Sequence, residues 1–131
     1  MALEHVVTKS VNVGGRTISS RISFTGGGLV SIDESIPGPS TNLEVDLVVD
    51  ISQIQSVIIK ADKAMTLYFN EASTGSPSKT LALVAGQAFQ WDNLSGATNP
   101  WGSTDITKVF VTKAGSGAAR LQMEFLVDAT G

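Results

Sequence analysis

The residues able to do chemistry in this chain are few and scattered. Its one histidine is His5, and it has no cysteine. No Ser stands in a nucleophile elbow near that imidazole, so His5 reads as a strand or arm residue with a structural contact. Glu44, Asp46 and Asp50 share one parity and offer hard oxygen ligands of the kind calcium takes. They are spread along an extended run, however, and not wrapped in a loop, which fits a solvated acidic face partly paired across a sheet. Any two of the twelve carboxylates can meet at glycosidase spacing after folding, but nothing selects a pair. Gly26-Gly27-Gly28 lacks the following Gly-Lys-Ser/Thr and the helix of a phosphate loop, and reads as a β bend. Asn93-Leu94-Ser95 matches a glycosylation sequon by chance composition. Trp91, Trp101 and Tyr68 leave three uses open: packing a loop onto the core, anchoring a protein partner, or stacking on a sugar ring. No catalytic residue, cofactor or metal ligand is therefore assigned.

The elements that would position these residues are strands. From Leu43 to Ile51, Leu43, Val45, Leu47, Val49 and Ile51 fall on one face and the three acids on the other. Leu121, Met123, Phe125 and Val127 repeat the pattern, with Gln122 and Glu124 opposite. Residues 3–13 and 16–24 form a hairpin about Gly14-Gly15, a pair suited to the positive φ of a primed turn. Ile18, Ile22 and Phe24 point to one side of its return strand, and Ser19, Arg21 and Ser23 to the other. Further strands are expected at about 29–35, 57–61, 65–70, 80–84, 88–91, 108–112 and 120–128, the last two joined as a hairpin by Gly115-Ser116-Gly117. Ile36-Pro37-Gly38-Pro39-Ser40 ends one strand and connects to the next. Asp92–Thr104 is the longest stretch without periodicity, and Asn99-Pro100 forbids regular helix there. No segment has the apolar spacing of a long amphipathic helix. The expected architecture is all-β, a two-sheet β-sandwich or jelly-roll-like barrel of about nine short antiparallel strands. Residues 1–131 are expected to make one domain, with 1–13 as a docking arm or edge strand.

Composition narrows the class of work. The chain is long enough to bury a core without staples, so neither metal nor disulfide is needed for folding. A net charge of −3 without a basic cluster gives little to a phosphate backbone, so nucleic acid is not expected as a partner. The N-terminus carries Glu4 and no long apolar run, so neither a secretion signal nor a membrane span is expected. Charged residues make up 16% of the chain, against about 25% in a typical soluble domain. A surface so thin in charge suits a protein that lives in an assembly.

Four segments in order, DISQIQSVIIKADKAMTLYFNE (Asp50 to Glu71), LVAGQAFQW (Leu83 to Trp91), TDITKVFVT (Thr104 to Thr112) and GSGAARLQMEFLVDAT (Gly115 to Thr130), resemble small virion structural proteins of tailed bacteriophages, of the capsid decoration or cement kind. The resemblance covers residues 43–130. It implies a non-enzymatic virion protein made in the host cytoplasm and placed on the head surface. Such a protein binds the major capsid protein or other virion proteins, stabilises the assembled shell, and is commonly a homo-oligomer, with a trimer favoured. Neck, tail and head-fibre proteins share this composition, and a carbohydrate- or receptor-binding β-sandwich module stands as the alternative. Because loops and termini are free to dock once a core is satisfied, the expected contacts are Leu3, His5 and Val7 of the arm, Ile36, Pro37, Pro39 and Asn42 of the proline-rich connection, and Asn99, Pro100 and Trp101 of the irregular loop.

Overall fold

A computed structural model describes residues 3–26, 28–94 and 96–127. Gly27 of the glycine bend, Ser95 of the sequon and Asp128 at the end of the last expected strand lie outside them. The described residues form ten strands: β1 (Leu3–Val13), β2 (Arg16–Gly26), β3 (Gly28–Ile36), β4 (Ser40–Val45), β5 (Ile54–Ala61), β6 (Met65–Phe69), β7 (Lys79–Leu83), β8 (Phe89–Asp92), β9 (Val109–Lys113) and β10 (Ala119–Val127). A 3-10 turn at Ile51–Gln53 interrupts them, closed at its start by the Asp50 carboxylate, which accepts from the Ser52 amide.

Eight of these strands make two four-stranded antiparallel sheets, ordered β3-β10-β5-β8 and β4-β9-β6-β7. Their pairings show how the chain reaches this order. β6 pairs with β7, β5 with β8, β4 with β9 and β3 with β10, which are the nested pairs of one long hairpin with β6 and β7 at its tip. Rolling that hairpin on itself adds the pairs β5 with β10 and β6 with β9. The result is a jelly roll, in which each sheet draws strands from both halves of the sequence. The all-β sandwich expected from periodicity is present. The expected hairpin of the last two strands is not: β9 and β10 lie in different sheets, and the Gly115-Ser116-Gly117 turn carries the chain across the sandwich.

The core lies between the two sheets. Leu121, Met123 and Phe125 of β10 and Val57 and Ile59 of β5 meet Leu67 and Phe69 of β6 and Val109 and Val111 of β9, all fully buried. The run from Leu43 to Ile51 keeps its expected alternation, with Val45, Leu47, Val49 and Ile51 buried. Only its first part is in a ladder, because β4 ends at Val45 and a lone bridge, Val49 with Ile106, holds the rest. Its apolar face is satisfied by the core even where its backbone leaves the sheet.

β1 and β2 stand apart as a two-stranded sheet of their own, in register from Leu3 opposite Gly26 to Val13 opposite Arg16. Gly14 and Gly15 turn the chain with φ of 57° and 85°, values at which a side chain is strained.

Candidate functional site

Directly opposed residues of an antiparallel pair share a face. Val7 with Ile22 and Val11 with Ile18 therefore lie on one side of the β1–β2 hairpin, while Thr8 with Arg21, Ser10 with Ser19 and Asn12 with Thr17 lie on the other. The hairpin is an amphipathic ribbon, and its apolar side needs cover.

Half of that cover comes from the outer face of the β3-β10-β5-β8 sheet. Leu29, Leu126, Ser56 and Asp92 form one row across its four strands. Outer positions of a sandwich are normally exposed, yet Leu126, Ser56 and Asp92 are buried. The hairpin lies over this row: it starts beside β3, β2 approaches β10 and β5, and Lys9 reaches the far strand, its Nζ 3.4 Å from the Asp92 carboxylate. Asp92 is 0% exposed and also accepts from the Gln90 side chain at 3.0 Å and the Leu94 amide at 3.1 Å. A buried carboxylate needs such partners, and Lys9 ties the ribbon to it by charge.

Past Lys9 the ribbon leaves the body. β8 is the sheet edge, and every described side chain from Ser10 to Arg21 is exposed. At strand rise the free part extends roughly 15 Å. Its apolar side is bare, with Val11 59% and Ile18 79% exposed. Leaving two such side chains in water forgoes about 1.5–3 kcal/mol each, and an isolated two-stranded ribbon is marginal by itself.

Beside the ribbon runs a groove of about 480 Å³, walled by Glu4, Val6 and Thr8 of β1 and floored by the next row of the sheet, Glu124, Ile58 and Gln90. Ile58 is an exposed apolar residue at its centre, and a second hollow of about 270 Å³ continues past it to Lys60 and Gln122. β1 pairs only with β2 among the described residues, so its edge facing this groove keeps free backbone donors and acceptors.

The expected contact residues are distributed unevenly around this feature. Val7 is half-buried on the ribbon; Leu3 and His5 belong to β1, but their side chains lie outside the described residues. Ile36 and Trp101 require correction as contact residues. Ile36 is 1% exposed at the end of β3, and Trp101 is 3% exposed, packed edge-on to Phe69 at 5.4 Å and Phe89 at 6.1 Å and tilted against Phe125 at 5.8 Å. Both are core: Ile36 has the inward parity of Val30 and Ile32 along β3, and Trp101 is a loop residue drawn inward where the sandwich mouth leaves room. Pro37 and Pro39 are exposed, on a connection pinned to the Gly115–Gly117 turn. A Cβ on Gly38 would come within 2.5 Å of the Gly115 and Gly117 carbonyls, and the buried Lys113 Nζ donates to the Ala114 and Gly115 carbonyls at 3.3 and 3.1 Å. Asn42, at φ 51°, exchanges hydrogen bonds with Ser73, and its amide donates to Thr112 Oγ1 at 3.1 Å. Asn99 accepts from the Trp101 amide at 2.9 Å, and Pro100 is half-buried. Asn42 thus ties β4 to the segment holding Ser73 and to β9, and Asn99 braces its own loop.

The remaining chemical candidates are also structural in their contacts. Trp91 is buried and donates to the Ala97 carbonyl at 3.1 Å; Tyr68 is half-buried in β6. Asp50 and Asp105 line a hollow of about 500 Å³ at the irregular loop. Their Oδ1 atoms accept from Ser52 and from the Ile51 amide, which uses them as turn and loop braces. No cluster of three or more His, Cys, Asp or Glu placed to hold a metal exists among the described residues. On the opposite edge, Arg120 grips Asp33 through two nitrogens at 2.8 and 2.7 Å, and that hydrogen-bonded guanidinium holds the Asp33 carboxyl below its usual range. The ribbon's amphipathic register was legible in the sequence as alternation in Ile18, Ile22 and Phe24. Ile58 and Asp92 were not, since nothing in a run such as VIIKA marks which outer residue a distant hairpin will cover.

No family model matches this chain, and no curated protein matches it. A solved structure described by the words "Bacillus endospore appendages form a novel family of disulfide-linked pili" is similar to it at a TM-score of 0.37 and 11% sequence identity, over 96% of this chain and 92% of that one.

Proposed function

We propose that this chain is a non-enzymatic structural subunit whose work is association, with the β1–β2 hairpin as its docking arm. The observation that carries this reading is the ribbon's apolar side, covered as far as Lys9 and bare from there to the turn. A free monomer gains nothing from holding Val11 and Ile18 in water on a projecting ribbon, whereas a subunit recovers that burial when it meets its partner. In the finer form suggested by the resemblance of residues 43–130, the assembly is the head of a tailed phage and the chain a decoration or cement protein on its shell. Binding only the assembled shell then adds stability to that state alone. The low fraction of charged side chains supports the coarser reading equally.

Empty shells of the phage that encodes the chain test both levels. The purified protein is expected to co-sediment with shells saturably, at a fixed ratio to the major capsid protein, and the Ile18→Asp variant is expected to lose at least tenfold in affinity while keeping its thermal unfolding midpoint. Wild type that ignores shells removes the decoration role. Ile18→Asp binding as tightly as wild type removes the arm.

A further inference from the structure

We propose that the arm's partner includes a second copy of this chain, joined head to tail. The arm tip of one copy lies in the groove beside β1 of the next and extends the β1–β2 ribbon by a strand. This rests on the reading of the chain as an association subunit and names what the arm meets.

Charge separates the two ends of such a contact. Residues 1–26 carry Lys9, Arg16 and Arg21 against Glu4, a net +2, while residues 27–131 carry six basic and eleven acidic side chains, a net −5. Two arms packed tip to tip around a two-fold axis would bring like charges together. An arm tip set in another copy's groove brings opposite ones together, with Arg16 at the visiting tip and Glu124 of the body and Glu4 of β1 lining the groove, where the cation Lys9 is drawn to Asp92.

Shape and backbone agree with charge. The free edge of β1 offers a strand template along the groove, and the visiting tip has unpaired outer edges of its own. The apolar tip residues Val11 and Ile18 find one exposed apolar residue at the groove's floor, Ile58. Each copy's arm points away over the β8 edge and its groove lies beside its own β1, so donor and acceptor are different surfaces of one molecule. Such an interface is heterologous, and it propagates into a closed ring or an open filament.

Complementation of two full-length variants tests this. Ile18→Asp spoils the arm and leaves the groove; Ile58→Asp spoils the groove and leaves the arm. Circular dichroism melts establish that both are folded. In sedimentation velocity the wild type is expected to show mass rising with concentration beyond a monomer. Each variant alone is expected to need at least tenfold higher concentration to associate. An equimolar mixture is expected to give a capped one-to-one dimer, since it contains one good arm facing one good groove and no means to continue. A mixture that stays monomeric overturns the head-to-tail contact, as does wild type that remains monomeric up to its solubility limit. If wild type is monomeric yet Ile18→Asp still loses its shells, the self-contact falls and the docking-arm reading stands. If Ile18→Asp changes neither behaviour, both fall.

Discussion

At the scale of single residues, the irregular loop is held by side chains that give up their chances of outside contact. Trp101 fills the mouth of the sandwich among Phe69, Phe89 and Phe125, and its indole N–H has no hydrogen-bond partner among the described residues. Such a donor is left unpaired only where the ring's packing outweighs it. Trp101→Ala is therefore expected to destabilise the fold by about 3–5 kcal/mol in urea denaturation, the cost of a large core truncation, without removing an arm contact. Asn70 shows a second way of fixing a loop. At φ 75° it closes β6, its side-chain oxygen accepting from the Thr107 amide and hydroxyl at 2.7 and 3.0 Å and its amide donating to Ser78 and to the Asp105 carbonyl at 2.7 and 2.9 Å. All four hydrogen-bonding positions of the amide are used, and asparagine is the side chain best suited to left-handed backbone. The sequence leaves Trp101 open between packing the loop, anchoring a partner and stacking on a sugar, because an aromatic beside Asn-Pro reads alike whether it turns in or out.

At the scale of elements, the β1–β2 hairpin meets the body along one row of the sheet, and Lys9 with Asp92 is a charged contact between them. Replacing Lys9 by Met removes a cation from beside a buried carboxylate but keeps the aliphatic stem. The expected outcome is faster proteolytic cleavage near Gly14-Gly15 and faster amide exchange across residues 10–22, with exchange in β5, β6, β9 and β10 little changed. Equal acceleration everywhere would show that ribbon and sandwich open as one unit. The boundaries of this hairpin were legible because two adjacent glycines and two alternating runs are local signals. The assignment of β9 and β10 to opposite sheets was not, because Gly115-Ser116-Gly117 serves a hairpin or a crossover equally, and the choice belongs to β4 and β3, some seventy residues and more away.

At the scale of the whole molecule, a cationic arm and an anionic body make association sensitive to ionic strength. Raising salt from low to several times physiological strength is expected to slow formation of the assembled species and lower its yield in sedimentation velocity, because the charges at the tip and groove are exposed and screened. Salt that strengthens assembly would place the contact on apolar burial alone. The order of the two sheets, the nesting of the strand pairs and the path of the ribbon across Leu29, Leu126, Ser56 and Asp92 belong to this scale too. By itself the sequence determined the strand class, nearly every strand position, the inward parity of residues such as Val45, Leu47 and Val49, and the glycine turn of the hairpin. All of these follow from period-two alternation and from the φ requirements of short turns, which act over a few residues. Only the tertiary structure decided which strands pair, that Ile36 and Trp101 face the core, and that Ile58 floors a groove while Leu126 is covered. Those outcomes depend on which distant surface competes best for each apolar face, and that competition is settled when the whole chain closes.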